Sequence, residues 1–413
     1  MQTFNEKLLH FINESPTPFH AVSAMVKVLE SHGFVPLEEK KRWQLEEGKR
    51  YYVTRNDSSL IAFTYPPSIE KGYTLIGAHT DSPLLRLKPN PLTVSAGMIR
   101  FGVEVYGGVL LNPWFDRELS VAGRIVYEDP EGVLGVKVID LKRPIAIIPS
   151  LAIHLDREAN SNHSINAQTD IVPIMGEFSE NFTFESWIMK EAGMVEGKLL
   201  AHELSFYDTQ KGGFLGINNE LIASARLDNL LSCYVALEAL CHSTTPMMMV
   251  CLDHEEVGSD SHVGAGGNFV ETILRRITGE KFPQVMSQSL MVSCDNAHAL
   301  HPNFTAKHDA QHAPLLNGGV AIKINANQRY ATNALTMGKF IQCANALNLP
   351  TQTFVTRTDM GCGSTIGPIM ATRLGMETID VGVPTLGMHS IREVAGVRDA
   401  YGLSQILARV GEF

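Results

Sequence analysis

The chain contains no apolar stretch of about 18 residues, the length that a membrane-spanning helix needs. It also lacks a long run of Lys and Arg, and its formal net charge is −10. These absences argue against a membrane protein and against nucleic acid or anionic membranes as partners. The first twenty residues lack the basic segment and long apolar core of a secretory signal, so we expect a cytoplasmic protein.

Cysteine is sparse and is not paired along the sequence. The six cysteines are scattered over 413 residues, and no two form a C-x-x-C motif. This spacing excludes a zinc site built from paired thiolates. It does not exclude a metal site built from histidine and carboxylate side chains.

What the chain does contain is an α/β pattern that is interrupted in its middle. Residues 1–88 and 216–413 alternate apolar runs, which we interpret as buried strands, with helical periodicities. Residues 89–215 instead carry β-type runs broken by Gly and Pro: 98–106, 123–128, 133–140 and 143–148. We therefore predict an α/β domain with a doubly wound, mostly parallel sheet, split by an inserted, mostly β domain.

Side chains of the kind that bind metals follow the strongest predicted strands. They are His79 and Asp81 after 73–78, Glu255 and Glu256 after 247–252, Asp295 after 290–294, and His389 beyond 377–381. Asp228 opens an amphipathic helix. Ligands of open α/β sheets bind outside the carboxyl ends of the strands, so these residues should converge on one crevice. Histidines and carboxylates together suit Zn²⁺, Co²⁺ or Mn²⁺.

Seven short motifs carry a resemblance to a known family. They are GAHTDSP (77–83), ARLDNL (225–230), DHEEVGS (253–259), SCDNAHALHPN (293–303), NQRYATN (327–333), CGSTIGP (362–368) and GMHSIRE (387–393). In this order they resemble the M18 metallopeptidases, the aspartyl aminopeptidase family. The resemblance spans nearly the whole chain.

The resemblance implies an aminopeptidase with two divalent metal ions per subunit, zinc first and cobalt or manganese as alternatives. It implies five metal ligands: His79, Asp228, Glu256, Asp295 and His389. Asp228 would bridge the ions, and Asp81 would support His79 without being a ligand itself. Glu255 would be the general base that takes a proton from the attacking water.

The resemblance also implies an assembly and a substrate. Members of the family form tetrahedral dodecamers through the inserted domain, which we therefore expect to mediate dimerisation. His154 lies where the family places a histidine that reaches a neighbouring active site. The substrates would be peptides with a free N-terminus. A preference for Asp or Glu would need a cation, for which Lys323 is the first candidate and Arg329 the second.

Several alternatives stay open at this point. A broad or neutral aminopeptidase, a carboxypeptidase and an N-acyl amino-acid deacylase share the chemistry of the two metal ions. A non-enzymatic assembly protein would keep the site for stability alone. Four further histidines look like a metal cluster by count, but we expect them in a loop beside Asp295: His298, His301, His308 and His312.

Overall fold

A computed structural model describes residues 1–413 and divides the chain into two units. The first unit comprises Met1–Ser82, Gly212–Met388 and Glu393–Phe413, and the second comprises Pro83–Lys211 with His389–Arg392. The long segment of the second unit thus begins and ends a few residues before the predicted bounds of 89 and 215. The reason is that the strand starting at Leu84 already pairs within the sheet of the second unit. His389–Arg392 also join this unit, although the prediction placed them in the catalytic domain.

Twenty strands and nine helices form the fold. The helices are α1 (Gln2–Asn13), α2 (Pro18–Ser31), α3 (Phe184–Glu191), α4 (Leu227–His242), α5 (Phe269–Thr278), α6 (Phe282–Ser287), α7 (Ala334–Ala346), α8 (Ile366–Leu374) and α9 (Asp399–Leu407). The strands are β1 (Phe34–Pro36), β2 (Arg50–Arg55), β3 (Ser59–Thr64), β4 (Thr74–His79), β5 (Leu84–Ser95), β6 (Met98–Tyr106), β7 (Leu119–Glu128), β8 (Leu134–Asp140), β9 (Ile174–Glu177), β10 (Lys198–Asp208), β11 (Gly213–Leu215), β12 (Leu221–Ser224), β13 (Met247–Leu252), β14 (Leu290–Cys294), β15 (Ala297–His298), β16 (Val320–Ile324), β17 (Thr351–Val355), β18 (Glu377–Gly382), β19 (Pro384–Leu386) and β20 (Glu393–Gly396).

The first unit is built on a nine-stranded sheet. Its strand order is β1-β2-β3-β13-β4-β14-β18-β16-β17. The four central strands, β13, β4, β14 and β18, are parallel to one another, whereas β3 and β16 run antiparallel to the central strands beside them. The predicted α/β fold with a mostly parallel sheet is confirmed, and its strictly parallel part lies in the centre.

The apolar run of β13 shows why the central strands form. All six side chains from Met247 to Leu252 are fully buried, which suits a strand covered on both faces. Successive residues point to opposite faces. Met247, Met249 and Cys251 join the core beneath α1, α2, α4, α7 and α9, while the residues between them join the core beneath α5, α6 and α8. The sheet is therefore held between two helical layers.

A second, five-stranded sheet in the first unit has the order β11-β12-β20-β19-β15. Its strand β12 leads into α4, and β20 starts with the buried residue Glu393. This sheet therefore places Glu393 close to the first turn of α4.

The second unit is built on a six-stranded antiparallel sheet in the order β8-β7-β10-β5-β6-β9, with α3 packed against β10. The prediction of a strand at 143–148 is wrong. Only two isolated bridges form there, from Ala146 to Leu119 and from Ile147 to Ile174. Pro144 has no backbone N–H, which disfavours a continuous ladder.

No helix in the structure is both long enough and apolar enough to pass through a bilayer.

The buried face of α4 provides a test of this core. Leu237 is fully buried in the core beneath α1, α2, α4, α7 and α9. Leu237→Ala should therefore lower the free energy of unfolding by about 2–5 kcal/mol. Leu335→Ala is the matched control, because Leu335 also lies in a helix but is 58% exposed. That change should cost less than about 0.5 kcal/mol. Chemical denaturation compares the two variants, and equal losses would contradict the packing described here.

Candidate metal centre

Three neighbouring strands of the large sheet end at the same edge. The order β13-β4-β14 is parallel, so the carboxyl ends of these strands lie side by side. β4 ends at His79, β13 is followed by a single turn at Glu255–Val257, and β14 is followed by Asp295. The edge therefore gathers side chains that are far apart in sequence, as expected for the crevice of an α/β sheet.

His79 lies at the centre of this group and is almost fully buried. Its Nδ1–H donates to the backbone carbonyl of Asp81 at 3.0 Å. Its Nε2 lies 3.5 Å from Oδ1 of Asp228, 3.6 Å from Oδ1 of Asp295 and 4.0 Å from Oε2 of Glu255. The bond at Nδ1 leaves Nε2 directed at the carboxylates, which is how metal-binding histidines are commonly oriented.

Asp81 orients the two adjacent glutamates. Its Oδ1 accepts the backbone N–H of Glu255 at 3.2 Å, and its Oδ2 accepts that of Glu256 at 3.1 Å. The turn that carries both glutamates is therefore attached to the end of β4. This contact explains how two adjacent carboxylates are held at the end of a buried strand.

Asp228 is held through its backbone. Its N–H donates to Oε2 of Glu393 at 2.9 Å, and its carbonyl accepts the hydroxyl of Ser82 at 2.6 Å. Glu393 is buried and was not identified as a site residue by the sequence reasoning. It is the last residue of the GMHSIRE motif, but nothing in the sequence distinguishes it from an exposed glutamate.

Lys323 is placed differently from a lysine that reaches out to substrate. Its side chain is only 2% exposed, and its Nζ lies 3.3 Å from Oδ2 of Asp295 and 3.2 Å from the carbonyl of Asn296. The ammonium group also lies 5.0 Å from the ring centroid of Tyr330. In this structure, therefore, Lys323 is the ion-pair partner of a candidate metal ligand.

The pKa values around His79 show that the group is short of positive charge. Burial raises the pKa of Glu255 to about 7; the carboxylates of Asp295, Asp81 and Asp228 add to this, and His79 opposes it. Burial on its own lowers the pKa of His79, but the carboxylates of Asp228, Asp295 and Asp81 outweigh it and hold that pKa well above its usual range. The negative charge of the carboxylates therefore favours the protonated form of His79, and burial together with the same charge favours the protonated form of Glu255.

The donor set fits a divalent cation. The ligand atoms of His79, Asp228 and Glu256 all lie within 4.8 Å of one another, and Asp295 approaches the same imidazole nitrogen. A zinc ion bound at about 2.0–2.2 Å from each atom would hold tetrahedral ligands about 3.4 Å apart. A small contraction of the group would therefore surround an ion.

Three other predicted site residues lie outside this group. His389 belongs to the second unit, where its Nδ1–H donates to the carbonyl of Gly108 at 3.0 Å. His154 also belongs to the second unit and is exposed. Arg329 is exposed in the loop after β16, where its Nε lies 3.4 Å from the carbonyl of Gly363.

A cavity of about 370 Å³ lies in the same unit and is rich in histidine. Its lining includes all four histidines whose metal-cluster interpretation was set aside, together with Lys307, Arg357, Tyr330 and Phe354. His301 donates its backbone N–H to Nε2 of His308, and His312 pairs with Asp309. The count of histidines was a signal in the sequence, but it marks a cavity wall rather than a cluster of ligands.

Comparisons with known proteins agree on one family. The family model described as "Aminopeptidase I zinc metalloprotease (M18)" matches residues 11–409. A "Probable M18 family aminopeptidase 2" of Pseudomonas aeruginosa (strain UCBPP-PA14) is 50% identical over 98% of this chain and 96% of its own length. Among solved structures, a chain of the Ape4 and Nbr1 complex is 38% identical with a TM-score of 0.95, over 100% of this chain and 86% of its own. The S. cerevisiae mApe1 dodecamer is 28% identical with a TM-score of 0.85, over 98% and 95%.

Binding of a divalent ion should release protons from this site. Without an ion, His79 carries a proton and Glu255 is partly protonated near pH 7, and a bound cation displaces both. Affinity should therefore fall as the pH is lowered from 8 to 6. Titration calorimetry of chelator-treated protein with Zn²⁺, in buffers of different ionisation enthalpy, measures the number of protons released.

His79→Ala should reduce both the proton release and the affinity. His242→Ala is the control and should change neither, because His242 is an exposed residue at the end of α4. Equal observed enthalpies in all buffers for the unmodified protein would contradict the charge balance described here.

Proposed function

Since the chain belongs to the M18 family of metallo-aminopeptidases, we propose that it removes the N-terminal residue of peptides with two divalent ions per subunit. The observation that supports this most directly is the group of His79 and buried carboxylates at one edge of the sheet. A free N-terminus and a preference for Asp or Glu at that position are part of the proposal. We place the reaction in the cytoplasm.

Zinc is the proposed ion, with cobalt or manganese accepted by the same donors. The proposed ligands are His79, Asp228, Glu256, Asp295 and His389. Bound divalent ions supply Lewis acidity that polarises a scissile carbonyl. The imidazole of His79 binds in its neutral form, and the Nδ1–H bond to the Asp81 carbonyl selects the required tautomer.

Glu255 is the proposed general base. Its carboxylate faces the same space as Nε2 of His79, and burial raises its pKa to about 7, close to the pH at which such a group works best. Cations nearby lower this pKa and keep Glu255 ready to accept a proton. It takes the proton of the attacking water and returns it to the leaving amine. Asp81 keeps Glu255 in place through the backbone.

The proposed acidic preference rests on positive charge near the cavity. Lys323 and Arg329 remain the proposed selecting residues, and the charge of Lys323 is partly offset by Asp295. The cavity adds Lys307 and the four histidines. An acidic side chain that enters this cavity can pair with Lys307 while Asp295 keeps its ion pair with Lys323.

We further propose a homo-oligomer, a tetrahedral dodecamer, in which the inserted domain mediates dimerisation. The S. cerevisiae mApe1 structure is that of a dodecamer. The exposed edge strand β8 supports an interface in the second unit, because Leu134 is 66% and Val136 is 53% exposed. His154 is exposed, which leaves it available to contact a neighbouring subunit.

The two adjacent glutamates separate metal binding from turnover. Glu256→Gln should lower metal content and activity together, because it replaces a proposed ligand. Glu255→Gln should keep the metal content and lower kcat by at least about 10²-fold, the usual loss for a general base. Metal analysis and assays with aminoacyl p-nitroanilides measure both effects.

The same assay tests the reaction class. Unmodified protein should cleave aminoacyl p-nitroanilides and leave N-acetylated peptides intact. Cleavage of only the blocked substrates would indicate a deacylase or carboxypeptidase, and no cleavage with Zn²⁺, Co²⁺ or Mn²⁺ would indicate a non-catalytic assembly protein.

The acidic preference is tested with lysine variants. Lys323→Ala and Lys307→Ala should each lower kcat/KM for Asp and Glu substrates by about tenfold more than for Leu substrates, since a lost charge pairing costs about that much. Lys339→Ala is the control, because Lys339 pairs with Glu377; it neither lines the cavity, as Lys307 does, nor pairs with Asp295, as Lys323 does. Equal losses on acidic and neutral substrates would refute selection by these lysines.

A further inference from the structure

Asp380, in β18, is a fully buried carboxylate to which neither the metal centre nor the proposed reaction assigns a role. Both of its oxygens accept hydrogen bonds. Oδ1 accepts the hydroxyl of Thr365 at 2.5 Å, and Oδ2 accepts the backbone N–H of Ala331 at 2.6 Å. Burial raises the pKa of this carboxyl group, and Lys323 opposes that rise.

The two donors to Asp380 come from two separate loops. Ala331 lies in the loop 325–333, which also carries Tyr330, and Thr365 ends the loop that carries Gly361 and Gly363. Tyr330, Gly361 and Gly363 all line the histidine-rich cavity. One carboxylate therefore connects two parts of the cavity wall to the central sheet.

The same two loops are also joined directly to each other. The hydroxyl of Ser364 donates to the carbonyl of Arg329 at 3.1 Å. The hydroxyl of Thr332 is 2.9 Å from the backbone nitrogen of Asp380 and accepts its N–H. The loops thus form a small cluster with Asp380 at its base.

Helix α8 approaches this carboxylate very closely. A Cβ atom at Gly367 would lie 2.4 Å from Oδ1 of Asp380, so only glycine fits at that position. Thr365 is the N-cap of the same helix and accepts the N–H of Gly367 at 3.2 Å. The start of α8 therefore depends on the position of Asp380.

The position of Ala331 also affects the residues beside it. Tyr330 precedes Ala331, and its ring faces the ammonium group of Lys323, which in turn pairs with Asp295. A shift of the loop would move Tyr330 and remove one of the neighbours of Lys323. Asp380 thereby fixes the position of residues in the cavity wall, although it does not line the cavity itself.

We propose that Asp380 is a positioning residue for substrate binding: its buried carboxylate fixes the loops 325–333 and 361–365 and so the cavity wall that faces the substrate. This inference rests on the proposed function for its kinetic consequence. Its structural consequence, the ordering of the two loops, is independent of catalysis.

The test is Asp380→Asn, which keeps the volume but places an amide NH₂ against one of two groups that are themselves donors. One hydrogen bond is lost, so KM for L-aspartyl p-nitroanilide should rise about tenfold while kcat changes less than about threefold. Bound zinc should be unchanged. Amide hydrogen exchange of residues 325–333 should become faster.

Asp399→Asn is the matched control for general loss of stability. Asp399 is also a buried carboxylate that accepts two backbone N–H groups, from Asn317 at 2.6 Å and Gly319 at 2.9 Å, and none of these three residues lines the cavity. This variant should lower the melting temperature without changing KM or the exchange of 325–333. A similar rise of KM in both variants, or an unchanged KM and exchange rate in Asp380→Asn, would overturn the proposal.

Thr365 variants keep the proposal testable if Asp380→Asn does not fold. Thr365→Val removes one donor and should raise KM and loop exchange by a smaller factor, whereas Thr365→Ser keeps the hydroxyl and should behave like the unmodified protein. Equal behaviour of the two variants would count against the role of Asp380. Lack of any activity in the unmodified protein would refute the proposed function, and the exchange measurement would then still decide whether Asp380 orders the loops.

Discussion

The carboxylates of Asp81, Asp228, Glu255 and Asp295 surround one buried imidazole, and their mutual repulsion is the constraint that the first unit has to accommodate. The negative charge raises the pKa of His79, and burial together with the neighbouring carboxylates raises the pKa of Glu255 to about 7. Such a concentration of negative charge is costly in a protein interior unless a cation offsets it. The geometry of the sheet edge is therefore best understood as the geometry of a cation site, with the protein supplying the ligands and their orientation.

Each of these acidic residues is held by a further contact, at its carboxylate or at its backbone, that does not use the space for the ion. Asp81 accepts the backbone of the two glutamates, Glu393 accepts the N–H of Asp228, and Lys323 pairs with Asp295. These supporting groups are themselves buried, so they cannot rotate away into solvent. The same pattern recurs at Asp380, whose carboxylate orders loops rather than ligands. The domain uses buried charge repeatedly to fix backbone that would otherwise be irregular.

Much of this arrangement could be predicted from the sequence, because the strongest signals are short and local. The apolar runs of β13 and β14 predicted both bounds of each strand, since buried parallel strands are continuously hydrophobic. The histidine and carboxylate residues that follow the strands predicted the edge of the sheet at which the candidate site lies. The prediction of a strand at 143–148 was wrong. The apolar residues there are typical of a strand, but Pro144 interrupts the backbone pairing. The burial of Lys323 and Glu393 was not visible, because a charged residue is normally exposed and only its tertiary partners reveal otherwise.

The order of strands in the large sheet has a consequence for how the protein is made. β4 pairs directly with β13, and the hydroxyl of Thr80 lies 3.4 Å from the carbonyl of Leu252, 172 residues away. Asp295 comes later still. During synthesis, His79 and Asp81 leave the ribosome long before their partners, and Pro83–Lys211 of the second unit are translated in between. Glu393, which holds Asp228, comes near the end of the chain, so a nascent chain has no complete candidate site until nearly all of it exists. For a peptidase this delays the appearance of activity until the domain around the site can close.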